Sequence, residues 1–166
     1  MFDHLRFLPP RTYGLEDVIG PKWLGGEKGH TTFKADQMRQ YFGMVKCLDD
    51  NIGRLLHALE ANGKLDSTIV MMTSDHGDLC YEHDRLNKGN PYEGSARVPM
   101  LIRFPERIAA GQTYMQPVGT VDVTPTLLGL ARIETDHEFE GRDLTTQFIR
   151  NGAGEGRQVT FLRNSG

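Results

Sequence analysis

The sequence is poor in the features that mark several classes of protein. Its 166 residues contain two cysteines and one tryptophan. Two cysteines do not make a disulfide framework, so we expect free, partly buried thiols at Cys47, on a helix, and at Cys80, in a loop. No run approaches the roughly 18 apolar residues of a membrane span. The first residues, Met1 to His4, also lack the basic start and apolar region of a signal peptide.

An excess of charge of either sign is lacking as well. The formal net charge is −3, and 25% of the residues are charged. A basic surface for nucleic acid is therefore not expected. With 38% hydrophobic residues, the composition is that of an ordinary soluble protein, and the length suffices for one domain with a sizeable core.

The beginning of the chain has little hydrophobic periodicity. Paired prolines and glycines punctuate residues 1–33, for example Pro9-Pro10, which predicts an irregular arm. We expect Trp23 to anchor this arm against the core. His4 and His30 are lone histidines in loops, and we interpret both as solvated surface residues.

A long amphipathic helix is predicted between Lys34 and Asn62. Its apolar residues recur every three or four positions, at Met38, Tyr41, Val45, Leu48, Ile52, Leu55 and Leu59. Asn62-Gly63 is a C-cap signal. The paired carboxylates Asp49-Asp50 belong to the solvated face, where Arg54 is the expected ion-pair partner of Asp50.

Two apolar runs later in the chain predict strands. Thr68–Met72 has no polar alternation, which is typical of a strand buried on both faces of a parallel sheet. Pro99–Phe104 is the next predicted strand, and Val118–Val121 and Val159–Leu162 are further candidates. A helix should begin at Thr124-Pro125, with Asp122 or Thr124 as its N-cap, so Asp122 is given a structural role.

The loop between the first two strands is rich in titratable side chains. Asp75, His76 and Gly77 come just past the carboxyl end of the first strand, where open α/β sheets place their chemistry. Asp75 offers a hard oxygen ligand, His76 offers an imidazole, and Gly77 allows a tight turn. Lys88 is a mobile cation that could hold an anionic oxygen. A metal and a lysine around one anion suit sulfate or phosphate ester cleavage, but two ligands do not complete a coordination sphere.

Short motifs fill and flank this loop in a fixed order. The helix carries Tyr41–Val45 and Asp49–Gly53, and Val121–Leu128 and Gly141–Leu144 come later. The loop itself carries Ser74–Asp78, Glu82-His83, Lys88-Gly89, Tyr92-Glu93 and Ser95–Pro99. The ordered set, over roughly residues 34–148, resembles the C-terminal part of the catalytic domain of type I sulfatases, in the alkaline phosphatase superfamily.

The resemblance implies a fold and a division of the chain. The fold class would be α/β: a partial alkaline-phosphatase-like sandwich, with a mostly parallel central sheet flanked by helices and its N-terminal strands missing. Residues 34–150 would be the C-terminal portion of the catalytic domain, after the irregular arm of residues 1–33. Residues 151–166 would begin a truncated C-terminal segment.

The resemblance also implies roles for individual residues. Asp75 and His76 match the family's second metal-binding pair, with Ca²⁺ as the expected ion and Mg²⁺ as the alternative, and His76 could instead contact the sulfate. Lys88 matches the sulfate-binding lysine. His83 lies where many members carry a histidine near the pocket, so Lys88 and His83 are the predicted catalytic residues. Cys80-Tyr81 replaces the small residues usual there, which would narrow the pocket or alter the loop.

The family's nucleophile is absent from this sequence. It is a cysteine or serine in a Cys-x-Pro-x-Arg motif, oxidised to formylglycine. Cys47 is followed by Leu48-Asp49-Asp50 and Cys80 by Tyr81-Glu82-His83, so neither fits. We therefore expect the formylglycine and the first metal-binding aspartates in a missing N-terminal part. The localisation is unknown, although family members are commonly exported.

The resulting prediction is a fragment of a sulfatase that acts on a sulfated small molecule or a sulfated carbohydrate. It would supply half of the metal site and the sulfate-binding lysine, and would be inactive alone. One alternative is a phosphodiesterase or phosphonate monoester hydrolase of the same superfamily. Another is a non-catalytic module that binds anions through the retained loop.

Overall fold

The computed structural model describes residues 2, 4–15 and 31–150. This part of the chain contains four helices, two strands and two 3-10 turns. In chain order they are α1 (Ala35–Ala61), β1 (Val70–Met72), the turn Glu82–Asp84, α2 (Glu93–Ala96), β2 (Leu101–Arg103), the turn Thr120–Asp122, α3 (Val123–Ala131) and α4 (Thr145–Ile149). The predictions for Trp23, His30 and Val159–Leu162 lie outside the described residues.

The described chain forms two compact units. The first contains residues up to Ala58 together with His76–Val98, and the second contains Leu59–Asp75 and the chain from Pro99 onward. The domain boundaries predicted after residues 33 and 150 are not tested by this division into units, so they stay predictions. In the described ranges, none of the helices is both long enough and apolar enough to cross a membrane.

Helix α1 confirms the prediction made from its apolar spacing. It covers 27 residues and ends where Asn62-Gly63 follows. None of its residues is buried, and the exposed fractions of Met44 and Leu55 are 64% and 61%. The expected Asp50–Arg54 ion pair is wrong: Lys46, one turn before Asp50, is its partner. Arg54 instead donates to Asn51 Oδ1 at 3.2 Å.

Strands β1 and β2 form where the two apolar runs predicted them, but their pairing differs from the prediction. They pair antiparallel, with Val70 opposite Arg103 and Met72 opposite Leu101. For this pair, the expected parallel arrangement is wrong. An apolar run without alternation predicts that both faces of a strand are covered. It does not predict whether the neighbouring strand runs parallel or antiparallel. The strand residues are half-buried, apart from exposed Leu101.

The core of the second unit lies between β2, α3 and α4. Its buried residues are Phe104, Ile108, Leu130, Leu144 and Phe148. Asp122 is fully buried beside this core, which confirms its structural role. Its Oδ2 accepts from Gly119 N at 2.9 Å, and its Oδ1 accepts from Arg142 N at 2.8 Å. The predicted strand at Val118–Val121 is wrong, because this segment enters the 3-10 turn that holds Asp122.

The first unit is organised around Tyr81. Its side chain is completely buried, and its hydroxyl donates to Gln37 Oε1 on α1 at 2.6 Å. The Phe33 and Tyr13 rings contact it edge-on, with centroid distances of 5.0 and 6.4 Å. Tyr81 belongs to the loop between β1 and β2, so its contacts hold this loop against α1. The loop is therefore a packed part of the first unit and more than a connection between strands.

Candidate functional site

The two predicted metal ligands follow β1 after two intervening residues. Asp75 is exposed, and Ser74 Oγ donates to its Oδ1 at 3.3 Å. The boundary between the two units falls between these residues. Asp75 ends a segment of the second unit, and His76 begins a segment of the first unit. Their proximity therefore follows from their adjacency in the chain.

The hydrogen bond of His76 selects one form of its imidazole. Nδ1 lies 2.9 Å from the carbonyl oxygen of Gly77. Because a carbonyl oxygen only accepts, Nδ1 carries the proton, and in the neutral ring Nε2 keeps its lone pair. An imidazole ordered through one nitrogen in this way is suited to bind a metal through the other.

Gly77 is needed for space. Its N–H donates to Ser95 O at 2.8 Å, which brings it against α2. A Cβ at this position would lie 2.1 Å from the carbonyl oxygen of Gly94. The φ angle of Gly77 is not positive. The prediction that a tight turn requires a glycine here is therefore wrong, and the reason is the close approach of another backbone segment.

Residues 78–92, which we call the Lys88 loop, have an unusual backbone. Five residues other than glycine have positive φ, from +46° to +75°: Cys80, Tyr81, His83, Asp84 and Asn87. Each such residue costs about 1 kcal/mol or more, so contacts elsewhere must hold the conformation. Two of these positions are Cys80-Tyr81, the pair that the resemblance marked as a departure from the family. The expectation that these two residues narrow the pocket or alter the loop stays a prediction.

Lys88 is exposed on this loop, between Asn87 and Gly89. Within the described ranges, none of the ion pairs involves its ammonium. The backbone just before it is anchored, since Leu79 N donates to Asn87 O at 2.9 Å. Lys88 is therefore an exposed cation that directly follows an anchored backbone position. Its predicted role in binding an anion stays a prediction.

His83 belongs to the same loop but is held more tightly. Its ring stacks on Tyr92, with a centroid distance of 4.0 Å and an interplanar angle of 16°. Its Nδ1 is buried and has no hydrogen-bond partner among the described residues. His83 thus has unused hydrogen-bonding capacity, but its stacked ring limits which way it can turn. Its predicted catalytic role stays a prediction.

The surroundings of Cys80 favour its protonated thiol. Its burial, and then the nearby carboxylate of Asp78, raise its pKa to about 11. Partial shielding from solvent also raises the pKa of Tyr41, with Cys80 and Asp78 as further causes. At neutral pH both side chains are protonated, so neither is suited to act as a nucleophile. Cys47 is exposed on α1, where a partly buried thiol was expected.

The chemistry of the donor set fits half of a metal site. Across the residues that the structure describes, no group of three or more His, Cys, Asp or Glu side chains could hold a metal ion. Asp75 and His76 offer one carboxylate and one imidazole, whereas Ca²⁺ and Mg²⁺ take about six or more ligands. Further ligands would have to come from outside these residues.

Comparison with known proteins decides the family. The sulfatase family model matches residues 15–133, well over half of the chain. The chain belongs to the sulfatase family. An N-acetylglucosamine-6-O-sulfatase from Bacteroides thetaiotaomicron is 42% identical over 107 residues, which are 64% of this chain and 19% of that protein. The chain therefore spans about a fifth of the length of this curated relative.

Solved structures support the fold of this sulfatase segment. A protein in complex with its substrate D-glucosamine-2-N,6-O-disulfate matches with a TM-score of 0.70 and 38% identity, over 74% of this chain and 25% of that one. A phosphonate monoester hydrolase of Agrobacterium radiobacter matches with a TM-score of 0.68 and 31% identity, over 80% and 27%. The sulfatases among these neighbours have the alkaline-phosphatase-like fold.

The residues that support the Lys88 loop were not found by reasoning from the sequence. Thr12 and Gly14 contact His83 and Asp84, and Gln37 binds the Tyr81 hydroxyl. These contacts join positions separated by 44 to 71 residues. No local pattern marks them, although a buried tyrosine generally requires some partner for its hydroxyl.

Proposed function

We propose that this chain supplies part of the active site of a sulfuric ester hydrolase. Asp75 and His76 would be two of the metal ligands, Lys88 would bind the sulfate group, and His83 would be a further contact beside it. What supports this proposal is the family membership together with the His76–Gly77 hydrogen bond, because a histidine that keeps its lone pair on Nε2 can ligate a cation. Ca²⁺ is the expected ion, with Mg²⁺ as the alternative.

When bound, the divalent cation would polarise the ester and help to ready the nucleophile. Asp75 would contribute a charged oxygen ligand, and the hydrogen bond from Nδ1 of His76 would orient its ring. Lys88 would neutralise the negative charge that develops on the sulfate oxygens as the ester bond breaks. Among the described residues, Lys88 has no ion-pair partner that this contact would have to displace.

The reaction requires a nucleophile that these residues do not provide. We expect a formylglycine outside the present 166 residues, because neither cysteine is in a Cys-x-Pro-x-Arg motif. The exposed apolar side of α1 and the two-stranded sheet also suit a segment that packs within a larger domain. Purified chain 1–166 should therefore show no sulfatase turnover, and measurable turnover would refute this part of the proposal.

For the whole protein we propose a sulfated carbohydrate or another sulfated small molecule as the substrate. The similar N-acetylglucosamine-6-O-sulfatase, and the similar structure in complex with a glucosamine disulfate, support the carbohydrate. The match to a phosphonate monoester hydrolase supports one second candidate, a phosphonate or phosphate ester. Inorganic sulfate and methylphosphonate, titrated in parallel into the chain, would show which anion the Lys88 loop prefers.

The metal and anion roles can be tested separately by binding measurements. We expect calorimetry to find weak Ca²⁺ binding, on the order of millimolar, because only two ligands are present. Asp75→Asn and His76→Gln should abolish it, while His137→Gln, a change of an exposed loop histidine, should not. Lys88→Met should weaken sulfate binding and leave Ca²⁺ binding intact. Unchanged Ca²⁺ binding in both ligand variants would remove the metal assignment.

A further inference from the structure

We propose that the turn Thr12–Gly14 positions the Lys88 loop, which makes Thr12 a positioning residue for the anion site. The functional half of this inference rests on the role proposed for Lys88, and the conformational half does not. The turn lies in the irregular arm, to which no function has been given so far. Its three residues each contact the loop at a residue with positive φ.

The first contacts are two hydrogen bonds. Thr12 Oγ1 accepts from His83 N at 3.1 Å, and Asp84 Oδ1 accepts from Gly14 N at 2.7 Å. The φ angles of His83 and Asp84 are +53° and +57°. The turn therefore binds the loop at two consecutive residues in the left-handed region, where the backbone would otherwise relax.

Tyr13 adds an apolar contact between these two bonds. Its ring lies 6.4 Å from that of Tyr81, whose φ is +75°. Its hydroxyl donates to Thr31 O at 3.0 Å and accepts from Phe33 N at 2.9 Å. Because both hydrogen bonds of the hydroxyl are made to backbone atoms, the Tyr13 ring has a fixed place against Tyr81.

Backbone hydrogen bonds connect the contacted positions to Lys88. Tyr81 N donates to Arg85 O at 2.8 Å, and Leu79 N donates to Asn87 O at 2.9 Å. Asn87 immediately precedes Lys88 and has a φ of +68°. If the contacts between the turn and residues 81–84 are lost, these two hydrogen bonds lose their alignment. The backbone that precedes Lys88 is then no longer held in place.

The test compares Thr12→Val, which keeps the shape but loses the acceptor, with Thr12→Ser, which keeps the hydroxyl. Thr135→Val is the matched control, because Thr135 Oγ1 also accepts from a backbone N–H, that of His137 at 3.1 Å, away from the loop. Two readouts are used on the full chain: hydrogen exchange of the Leu79 and Tyr81 amides, and the dissociation constant of inorganic sulfate followed by NMR at Lys88.

We expect Thr12→Val to speed exchange of both amides and to weaken sulfate binding about fivefold, the equivalent of one lost hydrogen bond. Thr12→Ser should restore both, and Thr135→Val should change neither. Helical circular dichroism from α1 should be the same in all variants, which separates a local effect from failure to fold.

The two readouts separate this inference from the role proposed for Lys88. Unchanged exchange in Thr12→Val overturns the inference, whatever sulfate does. Faster exchange with unchanged sulfate affinity overturns the claim that the turn positions Lys88. Faster exchange in a chain whose unaltered form binds no sulfate supports the conformational half and refutes the sulfate site itself.

Discussion

The carbonyl oxygen of Gly94 occupies the space that a side chain on Gly77 would need. The ideal Cβ would lie 2.1 Å from that oxygen, far inside a van der Waals contact. Gly77 directly follows the predicted metal pair, and its N–H donates to Ser95 O. The close approach of two backbones therefore sets where the chain goes after His76.

Gly77→Ala should destabilise the protein, because the backbone at Gly94 cannot yield as a flexible side chain could. We expect the free energy of unfolding to fall by about 2–3 kcal/mol, as for other overpacked sites. Urea unfolding measures the change. Gly43→Ala is the control, because a Cβ on this residue of α1 meets nothing within 4 Å. That variant should gain about 0.5–1 kcal/mol through helix propensity, and a loss in both would contradict the explanation.

Cys80 should react with iodoacetamide far more slowly than Cys47. With a pKa of about 11, only about a thousandth of the Cys80 thiol is ionised at pH 8. Cys47 is exposed, so the reagent reaches its thiol directly. Mass spectrometry of partly alkylated protein gives both rates. In strong denaturant the two rates should become similar, and an equally fast Cys80 in the folded chain would be inconsistent with its burial.

Stability should also fall at high pH because of Cys80. Its pKa is raised from 9.0 to about 11 on folding, so above pH 9 the folded chain retains a proton that the unfolded chain releases. The contribution is complete below pH 9 and is lost as the pH rises through 11. The raised pKa of Tyr41 acts in the same direction above about pH 10.

Urea unfolding at several pH values measures this loss. Cys80→Ala should make the decline between pH 9 and 11 shallower, whereas Cys47→Ala should leave it unchanged. A decline that is the same in all three proteins would assign it to other groups.

Asp122→Ala should be among the most destabilising single changes in the second unit. It would leave the N–H groups of Gly119 and Arg142 without their acceptor in a fully buried place. We expect a loss of about 2–4 kcal/mol, given the strength of hydrogen bonds to charged groups. Asp122→Asn should lose less, since one oxygen remains. Asp136→Ala, at an exposed carboxylate, is the control and should change stability by about 0.5 kcal/mol or less.

Elements with local signals were predicted well from the sequence. The spacing of apolar residues gave α1 to within one residue at each end, because a helix forms its hydrogen bonds within its own segment. Asp122 was predicted as an N-cap from the Thr124-Pro125 signal, and it does hold the N-cap position of α3, which begins at Val123. Its carboxylate makes no capping bond there and accepts from Gly119 N and Arg142 N instead. The partner of Asp50 was missed because two cations, Lys46 and Arg54, are spaced equally from it.

Features that depend on distant residues were not predicted. The antiparallel pairing of β1 and β2 is set by the fold and has no trace within either strand. The left-handed residues of the Lys88 loop are not glycines, so nothing local marks them. Asp75, His76 and Lys88 were predicted from the resemblance to a family, and their roles stay predictions. The hydrogen bond between His76 and Gly77 had no signal in the sequence.

The pairing of β1 with β2 has a consequence for the order of folding. Residues 73–100 separate the two strands, and closing a loop of about 30 residues costs roughly 3 kcal/mol in its length-dependent entropy alone. The hydrogen bonds of a ladder with three residue pairs stabilise it by little more than this entropic cost, at about 1 kcal/mol net for each bond. During synthesis α1 can form as soon as it emerges, but β1 must wait until residue 103 is available. The pair of strands should therefore form late, after the Lys88 loop has formed its contacts with α1 and with the turn Thr12–Gly14.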